Sequence, residues 1–126
     1  MGPFLYPIEV GDFEGRRFEE LNALVDTGAT YTSVPRDTLE RLGVEPEEEA
    51  SSILANGQSV SLGMAWIRIR LGGREQPSLV IFGDPGSTVL LGAFPLEGFR
   101  LGVDAVNRQL IPAPGYLVGI RLQGPL

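Results

Sequence analysis

The sequence predicts a mainly β fold, a closed or partly open barrel with one or two short helices. Three observations carry that expectation. Short apolar runs with partial alternation recur along the chain; 17 Gly and 10 Pro, spread between them, punctuate many turns; helix-type punctuation is confined to two short stretches. At 126 residues there is room for one domain, residues 1–126, and none for a second ordinary one. A chain of this size buries roughly 60–70% of its unfolded surface, enough for a core without staples.

Leu5 to Val10 reads as a first strand, closed by a turn at Gly11-Asp12. Arg16 to Val25 reads as a second, with Phe18, Leu21, Ala23 and Val25 partly alternating with polar neighbours. It ends at the turn-forming cluster Asp26-Thr27-Gly28-Ala29, and Tyr31 to Val34 is the outgoing strand. Pro35 suits the first turn of a short helix, Leu39 and Leu42 share one of its faces, and Gly43 is placed to end it. Glu45 to Ala50 reads as loop, its acidic run Glu47-Glu48-Glu49 solvated.

Ser51 to Ala55 and Val60 to Leu71 are then two strands joined through Asn56-Gly57, a strong hairpin signal. The longer strand changes phase. Val60, Leu62, Met64 and Trp66 hold even positions, whereas Ile67, Ile69 and Leu71 hold odd ones. Side chains of a strand alternate faces, so the change requires a bulge, or a strand that serves different layers, with the switch expected at Trp66-Ile67. A lone Trp on such a strand is expected in the core, or else packed on the base of the hairpin. After a turn at Gly72-Gly73 come a strand over Ser78 to Phe82, a loop at Gly83 to Gly86, the short apolar strand Val89-Leu90-Leu91 running into Gly92, and a brief helix over Pro95 to Phe99. Leu101 to Val103 and Gln109 to Ile111 pair around Asp104 to Asn107, and Tyr116 to Leu122 alternates as a half-buried strand.

Composition narrows the chemistry. Ten basic against 16 acidic residues give a net charge of −6, which argues against nucleic acid or an anionic membrane as partner. Every basic residue is Arg. Without Cys there are no disulfides, thiolate nucleophiles or cysteine metal sites, and without His neither Ser-His hydrolysis nor the usual zinc sites. Without Lys there is no phosphate-binding Walker loop and no Schiff base. If the chain is an enzyme, carboxylates must do its acid–base work. Neither a metal nor an organic cofactor is expected. The N-terminus shows no basic, apolar leader and no run approaches a membrane span, so the expected location is the cytoplasm.

Asp26 follows the apolar pair Leu24-Val25 and precedes a sharp Thr27-Gly28 turn. Those residues alone favour an ordinary Asx-type turn. The wider run Ala23-Leu24-Val25-Asp26-Thr27-Gly28-Ala29-Thr30 resembles the active-site motif of aspartic proteases. About sixty residues later Val89-Leu90-Leu91-Gly92 resembles the second motif of that family, and the Asn56-Gly57 hairpin falls where the family carries its flap. Leu101-Gly102-Val103-Asp104 through Leu110-Ile111-Pro112 resembles the tail of bacterial retropepsin-like domains. The chain is thus identified as similar to the retropepsin-like (retroviral-type) aspartic proteases, over residues 16–112.

The resemblance implies an acid-protease barrel with one lobe per chain, working as a homodimer on a peptide or protein substrate. Asp26 would be the catalytic carboxylate, and Thr27, Gly28 and Ala29 the rest of the active-site turn. Thr27 would bond across the two-fold axis, and Gly28 would admit the substrate backbone. Ala55, Asn56, Gly57 and Gln58 would form the flap tip, and Leu90, Leu91 and Gly92 would pack behind the turn. Carboxylate-driven peptide hydrolysis needs two carboxyls, and neither Asp84 nor Asp104 stands in such a turn, so the second must be Asp26 of another copy. Two departures stand out: Thr30 and Tyr31 occupy positions where retroviral enzymes commonly carry acidic residues that bind substrate backbone, and the hairpin lacks the flap tyrosine of pepsin-like enzymes. The expected function is an aspartic endopeptidase. The alternatives are a non-proteolytic peptide-binding or dimerisation module on the same fold, and an unrelated monomeric ligand-binding barrel.

Overall fold

Nine strands and two short helices succeed one another along residues 3–113, the part of the chain that the computed structural model describes. They are β1 (Leu5–Gly11), β2 (Phe18–Val25), β3 (Thr32–Pro35), α1 (Arg36–Arg41), β4 (Glu48–Ile53), β5 (Ser59–Leu71), β6 (Arg74–Gly83), β7 (Leu90–Leu91), α2 (Ala93–Gly98), β8 (Leu101–Asp104) and β9 (Gln109–Pro112). The predicted strand Tyr116 to Leu122 lies outside the described residues. So does any part it plays between subunits.

Hydrogen-bonded neighbours run β1-β2-β7-β3-β6-β5-β4, and β1 also pairs with β5 through Glu9↔Arg70, Val10↔Ile69 and Gly11↔Arg68. That extra pairing closes β1, β2, β7, β3, β6 and β5 into a barrel, which leaves no long free edge on the ring. β4 stays outside the ring as a hairpin with β5, and β8 and β9 form a small sheet of their own. The barrel interior is filled by the apolar phase of each strand: Ile8 and Val10, Ala23 and Val25, Val34, Ile67 and Ile69, Val80 and Phe82, and Leu91. Leu39 of α1 and Leu96 of α2 close its ends.

Helix α1 starts and stops as its punctuation predicts. Pro35, with φ −55° and ψ 140°, is the residue before the first turn. At the other end Gly43 takes φ +78°. Its N–H donates to Glu40 O (3.0 Å), and that of Val44 donates to Leu39 O (2.9 Å). These two bonds are the Schellman pattern, and the buried pair Leu39 and Val44 supplies the apolar contact that accompanies it.

Three expectations need correction. The stretch Glu45 to Ala50 is not wholly loop, because β4 begins at Glu48 and ends at Ile53 rather than Ala55. Glu48, Glu49 and Ala50 lie opposite Met64, Gly63 and Leu62, and the Glu49 carboxylate is paired with the Ser61 hydroxyl. Cross-strand bonding to β5 extends a strand whose own acidic residues give no strand signal. The phase change in β5 falls at Met64–Ala65, both buried, not at Trp66-Ile67. It needs no bulge: the register with β6 is unbroken from Met64↔Ile81 to Leu71↔Arg74. β5 pairs with β4 over Ser59–Met64 and with β6 over Met64–Leu71, so its two halves belong to different layers. Trp66 is consequently outside the core, 39% exposed. The hairpin does turn on Asn56-Gly57, through a three-residue loop: Gly57 N–H donates to Leu54 O (2.9 Å), Leu54 N–H donates to Gln58 O (2.8 Å), and Gly57 takes φ +87°.

Among the described residues no helix is long and apolar enough to cross a membrane. The β1–β2 connection is held by a buried carboxylate. Asp12 Oδ1 accepts the N–H groups of Arg16 (2.8 Å) and Arg17 (2.9 Å), and Oδ2 accepts Arg16 Nε (3.1 Å). Burial pushes the Asp12 carboxyl up, but the Arg17 and Arg16 N–H groups and the Arg16 guanidinium outweigh it, and the net direction is down. A lowered carboxyl contributes stability above its unfolded value that is lost as pH falls through the folded one. Asp12→Ala is therefore expected to cost about 1–2 kcal/mol at neutral pH. It should also reduce the fall in thermal midpoint as pH drops below the ordinary carboxylate range of about 4; melting curves of both proteins across that range check this.

Candidate active site

Strand β2 delivers Asp26 to the barrel's end, and β7 holds it there. Leu24 and Val25 run parallel to Leu90 and Leu91. Leu24 N–H donates to Val89 O (2.8 Å), and Asp26 N–H to Leu91 O (3.0 Å). The outgoing strand β3 is antiparallel to the same two residues, at Ser33↔Leu90. Both limbs of the turn that carries Asp26 are thus fastened to one two-residue strand.

Behind the turn the backbones meet closely. A Cβ on Gly92 would lie 2.6 Å from Tyr31 O and 2.9 Å from Ala29 O, a space only hydrogen fits. Gly92 N–H donates to the buried Thr32 Oγ1 (3.2 Å). The next two N–H groups, at the start of α2, donate to the turn itself: Ala93 to Ala29 O and Phe94 to Thr30 O, both 2.8 Å. Helix α2 has no side-chain cap, and the turn's carbonyls satisfy donors that a helix start leaves open.

The Asx-type turn expected from the three residues is present. Asp26 Oδ1 accepts Gly28 N–H (3.0 Å), and Asp26 O accepts Ala29 N–H (3.1 Å). Asp26 and Ala29 are half-buried, whereas Thr27 and Gly28 are exposed. Asp12 accepts three hydrogen bonds, but Asp26 accepts one on its carboxylate among the described residues. The first carboxylate is committed to structure; the second is left available. A cavity of about 250 Å³ opens beside it, lined by Pro3, Phe4, Val25, Asp26, Thr27, Val103 and Ala105.

The structure joins some of the predicted positions and separates others. Leu91 and Gly92 are buried directly behind Asp26, and Leu90 is half-buried beside them. Ala55, Asn56, Gly57 and Gln58 are all exposed at the tip of the β4–β5 hairpin, where Asn56 Oδ1 accepts Gln58 N–H (3.0 Å). None of them lines the cavity at Asp26. Next to them Ile53 is 78% exposed, so the tip is apolar as well as open. The β8–β9 hairpin contributes Val103 and Ala105 to the cavity, which the sequence reading did not anticipate. Asp104, expected in a loop, is the last residue of β8, opposite Gln109, and its carboxyl is lowered by hydrogen bonds from the Asn107 side chain and backbone. Thr32 was also missed; hydroxyl residues Thr30, Tyr31 and Ser33 surround it in the sequence, so nothing local singled it out. Among the described residues no cluster of three His, Cys, Asp or Glu is placed to hold a metal ion.

Compared with known proteins, the chain matches the aspartyl protease family over residues 7–93. No curated protein matches it. Among solved structures it is similar to the EIAV protease complexed with the inhibitor HBY-793, with TM-score 0.58 and 18% identity over 77% of this chain and 88% of that one. It is similar to the simian foamy virus (mac) protease, with TM-score 0.52 and 23% identity over 75% and 94%. The retroviral protease-like domain of Ddi1 from Leishmania major gives TM-score 0.60 and 20% identity over 89% of each chain. At these identities the likeness is one of fold.

The contact behind the turn is directly testable. Gly92→Ala is expected to destabilise the chain by roughly 3 kcal/mol or more, since the clash is with backbone on both sides. Thr32→Val, which keeps the shape and leaves Gly92 N–H without its acceptor, should cost about 1–3 kcal/mol. Urea unfolding midpoints measure both, and a Gly92→Ala midpoint equal to wild type would contradict the packing described.

Proposed function

The chain belongs to the aspartyl protease family, and from that premise we propose that it is an endopeptidase that works as a homodimer, with Asp26 of each copy supplying half of the catalytic pair. The 126 residues act as a single domain in this reading. The observation that carries it is the Asp26 carboxylate itself: half-buried, bonded by Gly28 N–H, and standing on a turn backed by the Leu91-Gly92 backbone. Peptide hydrolysis driven by carboxylates needs two of them, and the sequence supplies one such turn per chain.

With the two turns face to face across a two-fold axis, the two carboxyls share one proton, because like charges about 3 Å apart do not both ionise. The ionised one takes a proton from water as its oxygen attacks the scissile carbonyl carbon. The protonated one donates its hydrogen to the carbonyl oxygen, which gives a tetrahedral diol. The first carboxyl then gives its proton to the amide nitrogen while the second carboxylate takes one from a diol hydroxyl; the C–N bond breaks to release an acid and an amine, and the pair again holds one proton. Thr27, exposed at the turn, bonds across the axis, and Gly28 lets the peptide backbone approach. The β4–β5 hairpin, with Ala55 to Gln58 at its tip, closes over the bound peptide and excludes water.

Asp26→Asn is expected to abolish cleavage of a peptide library while leaving the fold intact. Specific activity should fall on dilution as dimers dissociate. An exchange-equilibrated equal mixture of wild type and Asp26→Asn should keep roughly a quarter of full activity, the statistical share of all-wild-type pairs. Cleavage that survives Asp26→Asn, or activity per chain that is constant down to monomer, would overturn the reading. Peptide capture with no turnover by wild type would favour a binding module.

A further inference from the structure

The outer face of the barrel wall beside Asp26 carries a feature that the chemistry above leaves unused. Strand registers align one row of side chains: Leu24 beside Leu90, Leu90 beside Ser33, Ser33 beside Ile81, Ile81 beside Met64, and Met64 beside Glu48. Residues opposite one another across a ladder share a face. Their chain neighbours Val25, Leu91, Val34, Val80 and Ala65 fill the core, so this row looks away from it. One end of the row lies two residues from Asp26, and the other is on the hairpin strand β4.

One step along the strands, the same face becomes aromatic. Trp66 pairs with Leu79. Tyr31 precedes Thr32, the partner of Val80, which sets Tyr31 on the other side of Leu79. Phe94 bridges the two rings, its centroid 5.9 Å from Tyr31 and 6.4 Å from Trp66, the latter edge-on. The trio is tied to the Asp26 turn through Phe94 N–H donating to Thr30 O (2.8 Å). It is also open to solvent: Trp66 is 39% and Phe94 38% exposed. Contiguous exposed aromatic surface on a rigid backbone is what binding sites carry, since rings offer large contact area at little entropic cost.

We propose that Tyr31, Trp66 and Phe94 form a specificity wall that takes a large apolar side chain, aromatic or long aliphatic, of the substrate peptide to one side of the scissile bond. This rests on the protease reading. The occupant follows from continuity: a peptide laid along the outer row from Asp26 toward β4 passes this wall. Of the charged groups near Trp66, Arg68 meets Glu75 (3.4 Å) and lies over the Phe13 ring, Glu47 accepts Trp66 N–H (3.1 Å), and Asp12, Glu14, Arg16 and Glu45 line a cavity that Trp66 shares. The selection of a neutral apolar group rests on the joint ring surface of Tyr31, Phe94 and Trp66. Tyr31 occupies a position where the retroviral resemblance leads one to expect an acidic clamp on substrate backbone, so selection moves from polar to apolar contacts.

A randomised decapeptide library tests this in two arms. Wild type should cleave peptides with Phe, Tyr, Trp, Leu or Met enriched at one fixed position near the cut, read by mass spectrometry. Asp26→Asn, which binds without cutting, should capture the same class. For matched peptides with Phe or Ala at that position, the kcat/KM ratio should be roughly tenfold or more, should collapse toward one in Trp66→Ala and Phe94→Ala, and should recover in Trp66→Phe. Cleavage without enrichment, or enrichment untouched by these variants, overturns the wall and leaves the protease reading standing. Selective capture without cleavage, lost in a Trp66→Ala background, supports the wall and sinks the protease reading. Neither cleavage nor capture overturns both.

Discussion

The contact on which the rest of the molecule depends is the backbone approach of Gly92 to the segment Ala29–Tyr31. It leaves no room for a Cβ, with Tyr31 O only 2.6 Å from where one would stand. Because of it, a strand of two residues can hold both limbs of the Asp26 turn and launch α2 against that turn's carbonyls. A surface loop is normally among the softer parts of a fold. Here the loop is bonded at Asp26, Ala29, Thr30 and, through Thr32, at the strand beyond. The rigidity that a preorganised site requires is a packing property of Gly92, not of the turn residues.

The same contact sets β7 in place between β2 and β3, beside the Asp26 turn. With β7 wedged between β2 and β3, the sheet presents one phase to the core and the other, half-buried or covered, away from it on the side where Asp26 emerges. Leu90, Ser33, Ile81 and Met64 follow Leu24 in register, and Phe94, placed by the start of α2, meets Tyr31 and Trp66. The Gly92 contact positions the turn and Phe94, and the β3–β6 and β5–β6 registers bring Ile81, Met64 and Trp66 alongside. The β4–β5 hairpin is different: it is paired to the ring along β5, and its tip, with Ile53 and the Asn56-Gly57 loop, stands exposed.

Charge is distributed by the same division of labour. The carboxylates that accept several hydrogen bonds, Asp12 and Asp104, hold turns and are lowered by their donors. Arg68 and Arg70 meet Glu75 on the barrel wall, and Arg41 meets Glu19 between α1 and β2. Such partly exposed pairs contribute little each. Their effect is to occupy nearly every arginine of the wall, which leaves the face beside Asp26 predominantly apolar.

Much of this was legible in the residues. Proline before α1 and Gly43 after it mark local backbone requirements, and each does locally what its φ allows. Asp26-Thr27-Gly28 with Leu90-Leu91-Gly92 sixty residues later is a pattern of residue types, and the resemblance it carries implies the acid-protease barrel, though not the order of its strands. The absence of Cys, His and Lys left carboxylates as the chain's acid–base groups. What the sequence could not hold was any fact about partners in space. Glu48 and Glu49 are strand residues because β5 bonds to them, and the phase change of β5 sits at Met64–Ala65 because β4 ends there and β6 begins. Trp66 lies outside the core because Ala65, Ile67 and Ile69 take the inward phase of its half of β5, and Val103 and Ala105 line the cavity at Asp26 because the chain returns there after α2. Local conformational preference is written residue by residue, whereas the face a strand presents is decided by which other strands it meets.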